Sequence, residues 1–336
     1  MKIVSPNVEI MQTDKNPQKH IETIARTCYK SNELITDDSH KKFITSLVNR
    51  KHWAMLEHYI FIYDVNPIFY RNYIDFADTL NISLNYMKMT NINDRYLISF
   101  SARTLLDLYD AINYCDSVCH NTIEEFKKYT VNLMKQCVYD YECEELFNQI
   151  GWTHQYFTPV TLTELENKMT QEEFMVHGWK SVKFICDRGV SHEIVRHRDA
   201  SFAQESTRYC NYSKDKFNQE ITVIDPSIMF DINSNELTKK QRYQFWKEAM
   251  HHVEDAYFYL LDLGATPQEA RSVLPNSLKT EVIMTARNYE WFHFFELRCD
   301  QAAHPQMREV AIPLYHKFCE ESGVFNNYIS RFNILG

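Results

Sequence analysis

The run Arg196-His197-Arg198-Asp199-Ala200-Ser201-Phe202-Ala203-Gln204-Glu205-Ser206-Thr207-Arg208-Tyr209 sets three cationic or potentially cationic side chains side by side, then polar groups, then a fourth cation. A hydrophobic core asks for nothing of the kind. Three adjacent side chains cannot share one face of a helix, and in a strand they alternate sides. Arg196 and Arg198 therefore suit a loop or element end that grips a ligand from two directions. Arginine is the side chain that holds planar, bidentate acceptors such as phosphates and uracil-like edges. The competing reading is a solvated basic run.

Composition bears on that choice. The 336 residues are 44% hydrophobic and 24% charged, an ordinary globular balance long enough for a sizeable core and one or two domains. The formal net charge of −9 repels nucleic acid at long range, so the local cluster reads better as a small-anion site than as a duplex-binding surface. Nine cysteines, an odd number with no Cys-x-x-Cys, indicate neither a zinc ribbon nor a redox pair and fit a reducing compartment. The start, Met-Lys-Ile-Val-Ser-Pro, has no apolar run of signal length, and no stretch of about 18 apolar residues occurs; the expectation is a soluble, cytoplasmic protein.

The elements that must position the cluster follow from pattern. Residues 2–10 read as a strand with Pro6 at its edge, and helices are expected over about 18–30 and 37–50. Glu57–Val65 reads as an aromatic, β-branched strand, and His58 at its start, taken alone, reads as structural. Residues 75–178 read as a mostly helical insertion, with helices around 102–116, 121–138 and Glu164–Met175. Val182–Cys186 is a buried-strand candidate, followed by a turn at Asp187-Arg188-Gly189 and a short helix capped by Ser191 that delivers the basic cluster. His192 and His197 lie five residues apart and point about 140° apart on a helix, so the zincin spacing fails and no metal site is expected. Leu237–Leu263 is a long amphipathic helix closed by Gly264, and Pro267 opens the next. Arg287, His293, Glu296 and Arg298 are set into apolar, aromatic surroundings. Arg298 is then either ion-paired to Glu296 or Asp300 or held for a ligand.

Arg-His-Arg-x-x-Ser-x-x-x-x-Ser-x-Arg-Tyr resembles the signature of the flavin-dependent thymidylate synthases, the ThyX family. Glu57-His58 is similar to that family's early Glu-His strand, Arg271-Ser272-Val273-Leu274-Pro275 to its Ala-Arg-x-Val-Leu-Pro segment, and His293 through Leu297-Arg298 to its closing Leu-Arg helix. The resemblance covers about 1–70 and 180–315. It implies one α/β (α+β) catalytic domain over 1–336, with a twisted sheet, long helices and the insertion at about 75–178. It also implies a homotetramer with active sites shared between subunits, taking dUMP and methylenetetrahydrofolate as substrates, with FAD kept reduced by NADPH. On this resemblance FAD is held by Arg196, His197, Arg198, Gln204, Arg287, Asn288, Tyr289 and His293, with His58 on the early strand. Glu193, Gln204, Glu205, Ser206, Thr207, Arg208 and Arg271 fall to dUMP, as does Arg196 again, and Arg298 polarises the uracil ring.

The chain departs from the pattern in three places. Ala203-Gln204 stands where the family often has Asn-Glu, so an acidic contact becomes an amide. Glu193 replaces a common glutamine, and its carboxylate either meets uracil N3–H or pairs with Arg196. Ile60 replaces a Ser or Thr, so no FAD contact is carried onto it. No cysteine nucleophile is required, and Cys210 and Cys299 read as packing. Two other functions stay open: a flavin enzyme that methylates or hydroxymethylates a different pyrimidine nucleotide, and a non-catalytic nucleic-acid-binding module.

Overall fold

In the computed structural model the described residues are 1–68, 70–71, 74, 87–104, 106–107, 157–230 and 236–329. They form a mixed α/β arrangement. The chain opens with β1 (Lys2–Val4), β2 (Asn7–Ile10), α1 (Pro17–Arg26), α2 (Ser39–Asn49) and β3 (Ile60–Val65). A hairpin, β4 (Lys88–Ile92) and β5 (Arg95–Ser101), is followed by β6 (Phe157–Pro159), α3 (Leu162–Lys168) and α4 (Gln171–His177). Next come β7 (Trp179–Asp187), α5 (Arg188–Ile194), β8 (Ala200–Gln204) and β9 (Thr222–Ile224). The chain continues through α6 (Leu237–Asp262), β10 (Lys279–Arg287), α7 (Asn288–Arg298) and α8 (Pro305–Glu321).

The central sheet runs β2-β7-β10-β8 and is antiparallel throughout. Its middle strand shows why period matters. Val282, Met284 and Ala286 bury one face of β10 with Trp291, Phe294 and Phe295 of α7 and with Val310, Leu314 and Phe318 of α8. Ile283 faces the other way, against Ile24 and Ala203. The second sheet, β4-β5-β3-β6, is also antiparallel, and β1 pairs β9 in parallel.

Several expectations shift for local reasons. Residues 2–10 split at Ser5-Pro6 into strands of two different sheets, because proline cannot donate to a ladder. The first helix stops at Arg26, passes through a 3₁₀ turn and ends with Lys30 left-handed at φ 49°. Glu57 and His58 close a 3₁₀ turn, Trp53–His58, rather than opening the strand, which begins at Ile60. Two capping boxes, Thr161/Glu164 and Thr170/Glu173, divide the expected helix 164–175 into α3 and α4. Asp187, not Ser191, caps α5: its Oδ1 accepts from Val190 N at 2.6 Å, and Ser191 lies inside the helix with Oγ donating to Arg188 O. The described residues 88–101 of the expected helical insertion are a hairpin, turned by Asn93 and Asp94 at φ 52° and 60°. The helix expected around 121–138, and most of the one around 102–116, lies outside the described residues. The long helix, Gly264 at φ 90° and Pro267 at the first turn of Pro267–Ala270 match expectation.

Candidate active site

The basic run leaves α5 after Ile194 and crosses a loop to β8, so Arg196 and Arg198 are both exposed while His197 between them is buried. Arg298, at the end of α7, turns toward that loop. Its Nε donates to His197 Nε2 (3.1 Å), Nη1 to Glu193 Oε2 (3.0 Å) and Nη2 to the Glu193 carbonyl (3.0 Å). The arginine's partner is thus neither Glu296 nor Asp300, and Glu193 pairs with Arg298 rather than Arg196. Burial, and then the Arg298 and His293 charges, pull His197 down to about 4. Neutral His197 accepts from Arg298 at Nε2, which assigns its proton to Nδ1. That buried Nδ1 has no hydrogen-bond partner among the described residues. Exposed His293 lies with its ring centroid 5.7 Å from that of His197.

A second grouping opens where the two larger sheets meet. A cleft of about 520 Å³ is lined by Glu57, Ile60, Lys88, Ser101, Arg198, Asp199, Ala200, Ser201, Thr285, Ala286, Arg287 and Tyr289. Glu57 is already engaged, accepting from Arg103 Nη1 (2.6 Å) and Ser201 Oγ (2.8 Å). Arg287 is also fastened: Nη1 donates to Ser99 Oγ and Val176 O, and Nη2 to Ser99 O. Burial pulls its pKa down to about 10. His58 lies wholly buried, its Nδ1 2.7 Å from Thr285 Oγ1, which Ser181 Oγ also meets at 2.6 Å. Asn288 is buried and donates to Phe174 O across Gly178, where a Cβ would collide with the Asn288 amide and that same carbonyl.

A third grouping joins distant arginines. Arg208 and Arg271 share an open depression of about 500 Å³ with Thr266, Gln268 and Glu269. Arg208 Nε donates to Gln268, and Arg271 Nη1 reaches Thr207 Oγ1 at 3.5 Å. Ser206 lies at the base of this loop, its N–H donating to Cys28 O. Gln204 points elsewhere, donating to Ser191 Oγ and Thr280 Oγ1.

Glu205 stands apart from all three groupings. It is buried with Lys279 (3.0 Å), Lys30 (3.7 Å) and Glu281, beside a separate cavity of about 460 Å³. Burial opposes charge on Glu281, but Lys279 and Lys30 outweigh it and hold the carboxyl at about 2; burial likewise works against Lys279, and Glu205 with Glu281 raise it to about 12. Removing one member leaves buried charge uncompensated. Glu281→Gln is expected to destabilise the protein by about 3 kcal/mol in denaturant titration, and an unchanged midpoint would show the cluster to be well solvated.

Lys88, Ser101 and Thr285 were not singled out by sequence reasoning. For the first two, a signal was available in the Asn93-Asp94 turn between two β-rich runs. The five described cysteines form no disulfide with one another; Cys210 and Cys299 are fully buried, and burial pushes Cys299 up to about 12, as packing residues require. Among the described residues no His/Cys/Asp/Glu cluster could hold a metal, and no helix is long and apolar enough to cross a membrane.

The family described as thymidylate synthase complementing protein matches residues 9–72 and 167–322. A flavin-dependent thymidylate synthase of Geobacter sulfurreducens is 37% identical over 127 residues, 38% of this chain and 50% of that protein. One from Pyrococcus furiosus is 32% identical over 139 residues, 41% of this chain and 53% of the relative. One from Pyrococcus horikoshii is 31% identical over 168 residues, 48% and 65% respectively. The chain spans about half the length of the first two relatives.

Proposed function

The chain belongs to the thymidylate synthase complementing protein family, and on that premise we propose that it is a flavin-dependent thymidylate synthase. In this reading it converts dUMP to dTMP with methylenetetrahydrofolate as carbon donor and FAD re-reduced by NADPH. The observation that carries the proposal is the fixing of Arg298 by Glu193 and His197 directly beneath the Arg196–Arg198 loop.

The donor set fits a flavin dinucleotide. The cleft offers the Arg198 and Lys88 cations, the Ser101, Ser201 and Thr285 hydroxyls and the Tyr289 ring, and nearby His197 Nδ1–H is a buried donor without a partner among the described residues. These suit an anionic, ring-bearing ligand. Bound flavin supplies the hydride chemistry, so the chain has to supply orientation and electrostatics. Arg208 and Arg271 hold the dUMP phosphate, the task for which paired guanidinium groups are shaped. Arg298 presents a fixed cation where negative charge develops on the uracil ring. In this reading Glu193 acts as a positioning residue, since its carboxylate and carbonyl hold that guanidinium. Arg196 and His293 are exposed, available to a ligand or to a neighbouring subunit of a homotetramer with shared sites. Five described cysteines that form no disulfide with one another suit a cytoplasmic setting.

The purified protein is expected to show flavin absorbance that bleaches on anaerobic addition of NADPH, faster with dUMP present. Protein that stays colourless when mixed with FAD would sink the proposal. Comparing dUMP with dCMP turnover tests the reading in which a different pyrimidine is methylated.

A further inference from the structure

Residues 73–166 lie outside the two stretches that match the family, yet part of that segment reaches the cleft. The hairpin β4–β5 is placed by register: Ser101 pairs with Ile60, Phe100 with Phe61 and Ser99 with Ile62 on β3, while Lys88 pairs with Ser99 on the far side. The same hairpin supplies the Ser99 oxygens that fasten Arg287. Lys88 is thereby fixed at the wall of the cleft, half-buried, with Nζ 5.5 Å from the centroid of the Tyr289 ring.

The charges lining this cleft are unevenly used. Glu57 is taken by Arg103 and Ser201, and Arg287 by Ser99 and Val176. That leaves Lys88 and Arg198 facing Asp199, with Glu290 nearby feeling the Lys88 charge. Among the described residues neither Lys88 nor Arg198 makes a hydrogen bond or ion pair. A half-buried ammonium on a concave wall loses hydration, and an aromatic face replaces only part of it. An anion carrying several acceptor oxygens would restore the rest.

We propose that Lys88, supplied by the inserted hairpin, acts with Arg198 as a clamp on the phosphate linkage of the flavin dinucleotide. The Tyr289 ring holds the lysine's head in place between ligands. This rests on the reading that the cleft holds flavin. It adds a binding residue from a segment the family match does not include.

Titrating the full-length apoprotein with FAD and with riboflavin, each alone, separates the possibilities through quenching of flavin fluorescence. With neither folate nor nucleotide substrate present, any anion effect belongs to the flavin's own phosphates. Lys88→Met is expected to weaken FAD binding about tenfold at low salt, the scale of one charge-assisted contact, and to leave riboflavin binding unchanged. Lys88→Arg is expected to restore FAD affinity to within about threefold of wild type. The difference between wild type and Lys88→Met should shrink as salt rises. Lys88→Met binding FAD as tightly as wild type would overturn the clamp alone. Equal weakening of FAD and riboflavin would make Lys88 a packing residue and overturn it too. A wild-type protein that binds no flavin would remove both the cleft reading and the clamp.

Discussion

Arg298→Ala is expected to keep its flavin and to lose dTMP formation by about a thousandfold, the upper range for removing one preorganised charge-stabilising donor. The size of the effect follows from how the guanidinium is held. Three of its nitrogens are committed, to His197 Nε2, to the Glu193 carboxylate and to the Glu193 carbonyl. Burial works against its charge and Arg196 adds to that, while Glu193 opposes both. The result is a partly desolvated cation that need not reorganise when charge develops beside it. Flavin retention is expected because Arg198, Ser101, Ser201 and Tyr289 line a cleft that Arg298 does not. The check is dTMP formed per bound flavin under anaerobic conditions, with absorbance reporting occupancy. Near-normal turnover would remove Arg298 from the mechanism. Loss of flavin together with turnover would make it a structural brace for the Arg196–Arg198 loop.

The arrangement around Arg298 also shows where sequence reading succeeds and where it fails. An Arg-His-Arg run reads as a loop gripping in two directions because adjacent side chains cannot share a face, and the loop from α5 to β8 exposes Arg196 and Arg198 around a buried His197. Local signals of this kind also found α6, Gly264 and Pro267. The carboxylate that holds Arg298 lies 105 residues upstream, and the sequence offers it only to uracil N3–H or to Arg196, because short-range rules favour Glu296 or Asp300 as the partner of Arg298. The lysine partners of Glu205 are likewise distant in sequence. It sits within the basic run, but Lys30 and Lys279 reach it from the end of the α1 turn and from β10. Strand order β2-β7-β10-β8 creates these meetings, and nothing in a sequence window encodes it. The hairpin at 88–101 was a different kind of failure. Its turn signal, Asn93-Asp94, was present, and the expectation of a helical insertion hid it.

Mild acid is expected to destabilise the protein steeply, because four buried histidines, His197 at about 4 and three others, cannot take up protons in the folded state. His58, wholly buried, is pulled down to about 3 by burial and then by His20. His177 is brought to about 3 by burial and then by the Arg287 guanidinium. His20 falls to about 4 through burial, with Asp14 offsetting only part. Hydrogen bonding adds to the case at His177. Ser99 Oγ accepts from Arg287 and is therefore set to donate to His177 Nδ1, leaving Nε2–H for Thr90 Oγ1. A second proton would place a cation next to Arg287 and oppose that donor. In the unfolded chain all four titrate near 6.5. Their folded values lie below that, so the stability they allow is complete above about pH 6.5 and is lost as pH falls toward 4 and 3. With four protons taken up on unfolding, the slope approaches about 5 kcal/mol per pH unit, which lowers Tm by on the order of 10 °C between pH 7 and 5.5. The carboxylates contribute in a lower window, since Glu281 at about 2 begins to matter only below 4.5. Thermal unfolding at fixed ionic strength across pH 5–8 measures the slope directly. A flat profile would mean that these rings are protonated in the folded protein through local opening, and His177→Gln should then leave the profile unchanged instead of reducing its slope by about a quarter.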